Sequence, residues 1–171
     1  MKFKTLMERK YNPAWGSHIP VLLKMLEITS GPVLELGVGP FSTPILNTVC
    51  TSSERKLVSY EDDPEFYTMH KSFNGPFHDV YFVEDWDKID IENIDWGFVF
   101  IDHKPKRRKT EAKRMVNKKY VVVHDSEGAQ DYHYDYRKEV FPLFKYRYTF
   151  GKLRPHTSVL SNFINLDNFK I

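Results

Sequence analysis

Short apolar runs that alternate with amphipathic stretches constrain this chain more than any other feature. Val33 to Gly37, Leu57 to Glu61, His78 to Val83, Gly97 to Asp102 and Tyr120 to His124 each have the length and content of a strand. Between them, Ser42 to Thr51, a stretch opened by Asp63 and Pro64 that ends near Asn74 and Gly75, and Lys106 to Asn117 read as helices. Ser42 or Thr43 is placed to cap the first of these, with Pro44 in its first turn. A further helix is expected over Tyr132 to Phe141, stopped by Pro142, and a leading one over about His18 to Thr29. Lys145 to Phe150 and Ser158 to Phe163 supply two last strands. Alternation of this kind implies a parallel sheet with helices on both faces. The unbroken apolarity of "GFVFID" fits a strand buried on both sides. The stretch "EDWDKIDIENID" is short for a helical crossover, so a reduced helix or a loop is expected there.

With 171 residues the chain is long enough for one domain with a proper core, and a single domain over 1–171 is expected, with 1–31 as a helical lead-in or lid. The net charge of +2 argues neither for nor against a polyanionic partner. Cys50 has no second cysteine to pair with, which suits a reducing, cytoplasmic compartment. Met1 to Lys10 is charged and lacks the apolar core of a signal peptide, and no stretch has the length of a membrane span.

Chemistry concentrates where the strands end. "VLELGVGPFSTPIL" is a strand that runs through Gly37-Val38-Gly39 into a helix, a turn that lets backbone approach a ligand closely. In a parallel sheet, ligands bind beyond the carboxyl ends of the strands, at the switch point. Glu61 ends the second strand in "LVSYEDD", where a carboxylate can accept both hydroxyls of a ribose. Asp85 follows the third strand beside Trp86, where an acid can take an adenine amino group and the indole can stack on its ring. A bare turn and solvated strand-end acids are the plain alternative for each feature. A dinucleotide-dependent dehydrogenase is the competing reading within this fold class; its third glycine falls at Ser42, and the chain leaves no room for a separate substrate domain.

The series "LELGVG", "YEDD", "VEDW", "FVFIDH" and "VVVHDS" resembles the class I S-adenosylmethionine-dependent methyltransferases, over Val33 to about Phe163. That resemblance implies a Rossmann-like, seven-stranded, mostly parallel sheet whose last strand is antiparallel. It implies S-adenosylmethionine as cofactor. Glu35, Gly37 and Gly39 would line its methionine and ribose side, Glu61 would hold the ribose hydroxyls, and Asp85 with Trp86 the adenine. The Asn/Asp-Pro-Pro-aromatic motif and the Pro-Cys pair of DNA base methylation are missing.

"FIDH" and "VVVHDS" are similar to the catechol O-methyltransferase group, in which acids after these two strands hold Mg²⁺. Asp102 and Asp125 would then be metal ligands for Mg²⁺ or Mn²⁺. Asp125 is followed by Ser126 rather than that group's Asn, and Pro105 stands where its catalytic lysine does. "GVGPFST", "SYEDDPEF" and "VVVHDSEG" also resemble the plant polysaccharide methyltransferases that modify glucuronic acid. The expected chemical corner is Asp102, His124 and Asp125. A metal there lowers a hydroxyl pKa, or His124 acts as base. A strand-end pair that caps the next turn is the structural alternative.

The run "HKPKRRKTEAKRMVNKK" reads first as a solvated helix face, with Ala112, Met115 and Val116 toward the sheet. Its sharper reading is recruitment of an acidic small molecule, a uronate or other saccharide, or nucleic acid, with His103, Arg107 and Arg108 nearest the substrate. Trp15, Gly16, Ser17 and His18, just before the leading helix, are expected to cover the pocket.

Overall fold

The computed structural model describes residues 12–128 and 131–171. The part of the expected lead-in before Asn12 lies outside the described residues. A short turn of 3-10 helix, Pro13–Gly16, leads into α1 (Ile19–Ile28). Then follow β1 (Val33–Leu36), α2 (Ser42–Ser52), β2 (Leu57–Glu61), α3 (Pro64–His70) and β3 (His78–Phe82). The second half holds β4 (Phe98–Ile101), α4 (Pro105–Arg114), β5 (Val121–His124), the short α5 (Asp131–Tyr134), β6 (Tyr146–Phe150) and β7 (Thr157–Ser161).

The strands form one seven-stranded sheet in the order β3-β2-β1-β4-β5-β7-β6. β1 pairs in parallel with both β2 and β4, so the chain reverses direction across the sheet at β1. β7 inserts antiparallel between β5 and β6. This is the Rossmann-like sheet with an antiparallel last strand that the sequence leads one to expect.

Period-two alternation assigns the faces. Leu34, Leu36, Val99, Ile101, Val121 and Val123 point to one side, where Ala112 and Met115 of the α4 region cover them. Val33, Phe98, Phe100 and Val122 point to the other, against Val21, Leu22 and Met25 of α1 and Leu46 of α2. Both faces of the central strands are thus dry, which is why they read as continuous apolar runs. Between β3 and β4 only a 3-10 turn, Trp86–Lys88, forms.

Three expectations need correction. The residue at the N-cap of α2 is Phe41, with no side-chain cap bond, because the Thr43 hydroxyl is used inside the turn instead. The regular part of the helix expected to end near Asn74 stops at His70 and tightens to a 3-10 turn over Lys71–Phe73. The expected helix over Tyr132 to Phe141 is broken at Asp135, whose φ of +52° is left-handed. Beyond it run a π turn, Tyr136–Val140, and a 3-10 turn, Phe141–Leu143. Salt bridges to α4 accompany the break: Lys109 binds Asp135 and Glu139, and Lys113 binds Glu139.

Candidate active site

The carboxyl ends of β1, β4 and β5 meet beneath one cavity of about 470 Å³. Gly39, Phe41 and Ser42 line it from the β1 turn; Asp102, His124 and Asp125 line it from β4 and β5. Trp15 and His18, from the segment before α1, line a third side.

The turn after β1 is built from below. Glu35 is wholly buried and accepts hydrogen bonds from the hydroxyls of Thr43 (3.0 Å) and Ser59 (2.6 Å). Thr43 Oγ1 in turn accepts the Gly39 N–H at 2.9 Å. Burial pushes the Glu35 carboxyl up to about 7, against the pull of those hydroxyls. Glu35 therefore shapes the turn and does not face the cavity, which corrects its expected place lining the ligand.

The two glycines differ in kind. Gly37 has a φ of +99°, and a Cβ on it would lie 2.4 Å from the His103 backbone nitrogen. It is required so that the ends of β1 and β4 can touch. A Cβ on Gly39 would meet only Ser42 Oγ, at 3.6 Å. Gly39 instead borders the cavity.

Glu61 lies at the end of β2 with its carboxylate on backbone donors, Val38 N–H at 2.9 Å and Asp63 N–H at 2.7 Å. Burial raises its pKa to about 7. Asp85 accepts from Asp87 N–H and pairs with Lys88. Trp86 is not an open stacking surface. Its ring is buried and stands edge-on to His103, with centroids 4.5 Å apart. His103 is buried there as well and does not line that cavity, a correction to its expected substrate role. Burial holds its imidazole down to about 3.

The largest departure concerns the two arginines. Arg107 pairs with Asp87 and Glu111, both at 2.7 Å. It is committed to these partners and offers no free clamp. Arg108 is buried and forks between the two acids expected to hold a metal: Nη2 lies 2.7 Å from Asp102 Oδ1 and Nη1 2.6 Å from Asp125 Oδ2. Its Nε–H donates to the His103 carbonyl, and its plane lies over the Tyr134 ring at 4.7 Å. Tyr134 OH donates a second bond to Asp125. An ion coordinated by Asp102 and Asp125 does not fit, because the guanidinium already supplies the positive charge between them. The sequence hides this partner because Arg108 approaches from the next helix.

Around Asp102 the remaining groups are imidazoles. His124 Nδ1 lies 3.2 Å from both Asp102 oxygens, and its Nε2 lies 2.9 Å from Ser17 Oγ. Ser17 Oγ also donates to the Pro155 carbonyl at 2.6 Å. Burial opposes charge on His124, but Asp102 outweighs it and the pKa stands above the ordinary value. Burial likewise opposes charge on Asp102, yet His124 and Arg108 hold it well below the carboxylate range. His18 packs edge-on to His124 at 4.8 Å, and burial lowers its pKa to about 4. Ser17 and His18 were legible only as a cover; their contacts with β5 and β4 span more than 80 residues of sequence. Asp125 has a φ of +55°, a left-handed conformation that is strained for a non-glycine residue.

No protein-family model matches the chain, and no curated protein does. Solved structures resemble its fold. An O-methyltransferase from Bacillus cereus in complex with SAH superposes with a TM-score of 0.61 at 14% identity, over 89% of this chain and 82% of that one. A SAM-dependent O-methyltransferase from Thermotoga maritima gives 0.61 at 16% identity, over 95% and 70%. The METTL16 MTase domain gives 0.62 at 11% identity, over 91% and 70%. The architecture is that of the class I methyltransferase fold.

Proposed function

We propose that this protein is an S-adenosylmethionine-dependent methyltransferase that acts on a hydroxyl of a small molecule or saccharide. One observation carries the reading: the glycine turn after β1 and the corner of Asp102, His124 and Asp125 face each other across the same cavity. Glu61 is the ribose ligand in this reading, since each of its oxygens keeps a lone pair after accepting one backbone N–H. Asp85 is the adenine ligand in the same reading, while Trp86, packed against His103, supports the turn that carries it. The likeness of fold to O-methyltransferases supports the same class.

The donor supplies a sulfonium methyl group; its C–S bond breaks as the acceptor oxygen forms the new O–C bond, and the hydroxyl proton must leave. The protein's own task is to align that oxygen and take the proton's charge. Asp102 provides the negative charge at the corner, and Arg108 keeps Asp102 and Asp125 in fixed geometry. His124 has both ring nitrogens engaged, whereas His18 presents an uncharged imidazole to the cavity wall.

Nucleic acid as acceptor is disfavoured by the pairing of the basic helix. Arg107, Lys109, Lys113 and Arg114 all bind carboxylates of this chain. Calorimetry with S-adenosylhomocysteine, followed by transfer of labelled methyl across a panel of hydroxylated acceptors, tests the proposal. Binding with turnover on a hydroxyl is expected. No binding sinks it, and binding without turnover on any acceptor reduces it to a donor-binding domain.

A further inference from the structure

We propose that His18, His124 and Asp102 form a binding site for one divalent transition-metal ion of the Zn²⁺ or Co²⁺ type. Each offers one ligand atom, and these atoms lie within 4.8 Å of one another. Arg108 binds Asp102 through Oδ1, whereas His18 faces Oδ2 and His124 Nδ1 lies 3.2 Å from both oxygens, so the ligand set differs from the Asp102–Asp125 pair that the guanidinium bridges.

The first argument is a count of protons. Ser17 has one hydroxyl proton, and it goes to the Pro155 carbonyl. Its oxygen must therefore accept the bond from His124, which places a proton on Nε2. Nδ1 is left facing a carboxylate at 3.2 Å. A bare lone pair facing that charge is repulsive. Either a second proton or a cation stands between them.

The second argument is His18. It is 2% exposed, and neither ring nitrogen has a hydrogen-bond partner. Its Nδ1 lies 3.8 Å from Asp102 Oδ2. A buried polar atom without a partner is destabilising and calls for an explanation. A second proton on His124 leaves His18 unexplained. A metal ion would take one nitrogen of each ring at once.

Geometry and donor type agree. Metal–nitrogen and metal–oxygen bonds of about 2.0–2.2 Å in a tetrahedral site put neighbouring ligand atoms roughly 3.4 Å apart. The two separations from Asp102, 3.2 and 3.8 Å, bracket that value, and all three ligand atoms lie within 4.8 Å of one another. Two imidazoles and one carboxylate suit zinc, cobalt or iron better than magnesium. The link from His124 Nε2–H through Ser17 to a backbone carbonyl is the outer support that orients ligating histidines. All three ligand residues line the cavity, so a fourth position opens toward it. The site stands on these side chains alone. Only its use, holding the acceptor oxygen at that fourth position, rests on the methyl-transfer reading.

The test uses the full chain, stripped with a chelator and free of methyl donor and acceptor. Co²⁺ is titrated and followed by its visible absorption, then displaced by Zn²⁺. One equivalent with the strong bands of four-coordinate cobalt is expected. Ser17→Ala should weaken binding by about 10–100-fold, and His18→Ala or His124→Ala by more. Should His18→Ala fail to fold, as judged by circular dichroism, His18→Asn replaces it. Absence of a stoichiometric cobalt spectrum in the wild type overturns the proposal. So does equal binding by wild type and the His18 variants. Neither outcome bears on donor binding, which is measured separately.

Discussion

At the scale of single residues, the glycines of the β1 turn separate packing from function. Gly37→Ala must adopt a left-handed backbone and drive a Cβ into the His103 backbone, so a loss of about 3 kcal/mol or more is expected in urea unfolding. Gly39→Ala meets no such obstacle and should unfold within about 0.5–1 kcal/mol of wild type. Under the proposed function it should nonetheless weaken S-adenosylhomocysteine binding in calorimetry, because its methyl would project into the cavity that Gly39 lines. Equal stability losses in the two variants would contradict the distinction. Glu35 carries a pH signature. Its carboxyl is raised from 4.5 to about 7 by burial, so the folded state holds a proton that the unfolded state has released. That contribution to stability is fully present below pH 4.5 and is lost as pH rises through 7. Unfolding from pH 4.5 to 8 should show a flatter profile for Glu35→Gln than for wild type, by an amount on the order of a few kcal/mol. Parallel profiles would mean that Glu35 is ionised in the folded protein throughout.

At the scale of elements, α4 does two jobs that its composition conceals. Its inner side seals the sheet with Ala112, while Arg108 reaches the ends of β4 and β5. Its outer cations tie down the irregular segment after α5 through Asp135 and Glu139. A helix rich in Lys and Arg is thus largely neutralised by its own molecule. Arg108→Ala should cost about 3–5 kcal/mol, since it leaves two carboxylates close together with their shared cation gone. Arg108→Lys should recover only part of that loss, because an ammonium cannot span both acids as the fork does. Chemical denaturation measures both, and a loss below about 1 kcal/mol for the alanine variant would show that the bridge is not structural.

At the scale of the molecule, the described residues place their reactive side chains on one edge of one sheet. No helix among them is long and apolar enough to cross a membrane. With its basic helix paired internally, the protein should bind polynucleotides weakly. The logarithm of any binding constant should depend on salt with a shallow slope, and a slope reporting many phosphate contacts would revive the nucleic-acid reading. How much of this was legible beforehand follows from the range of each interaction. Strand and helix alternation, burial of "FVFI" on both faces and the glycine turn are local patterns, and the residues alone determined them. The same patterns brought Asp102, His124 and Asp125 to one edge, because parallel strands end together. Three things were decided only by tertiary structure. Arg108 supplies the cation between Asp102 and Asp125, Trp86 and His103 pack on each other, and Ser17 and His18 reach across to His124. Each joins residues from different elements, and which partner satisfies a buried charge depends on how those elements dock. Sequence periodicity states which face of an element is buried, but carries no information on which polar group meets it there.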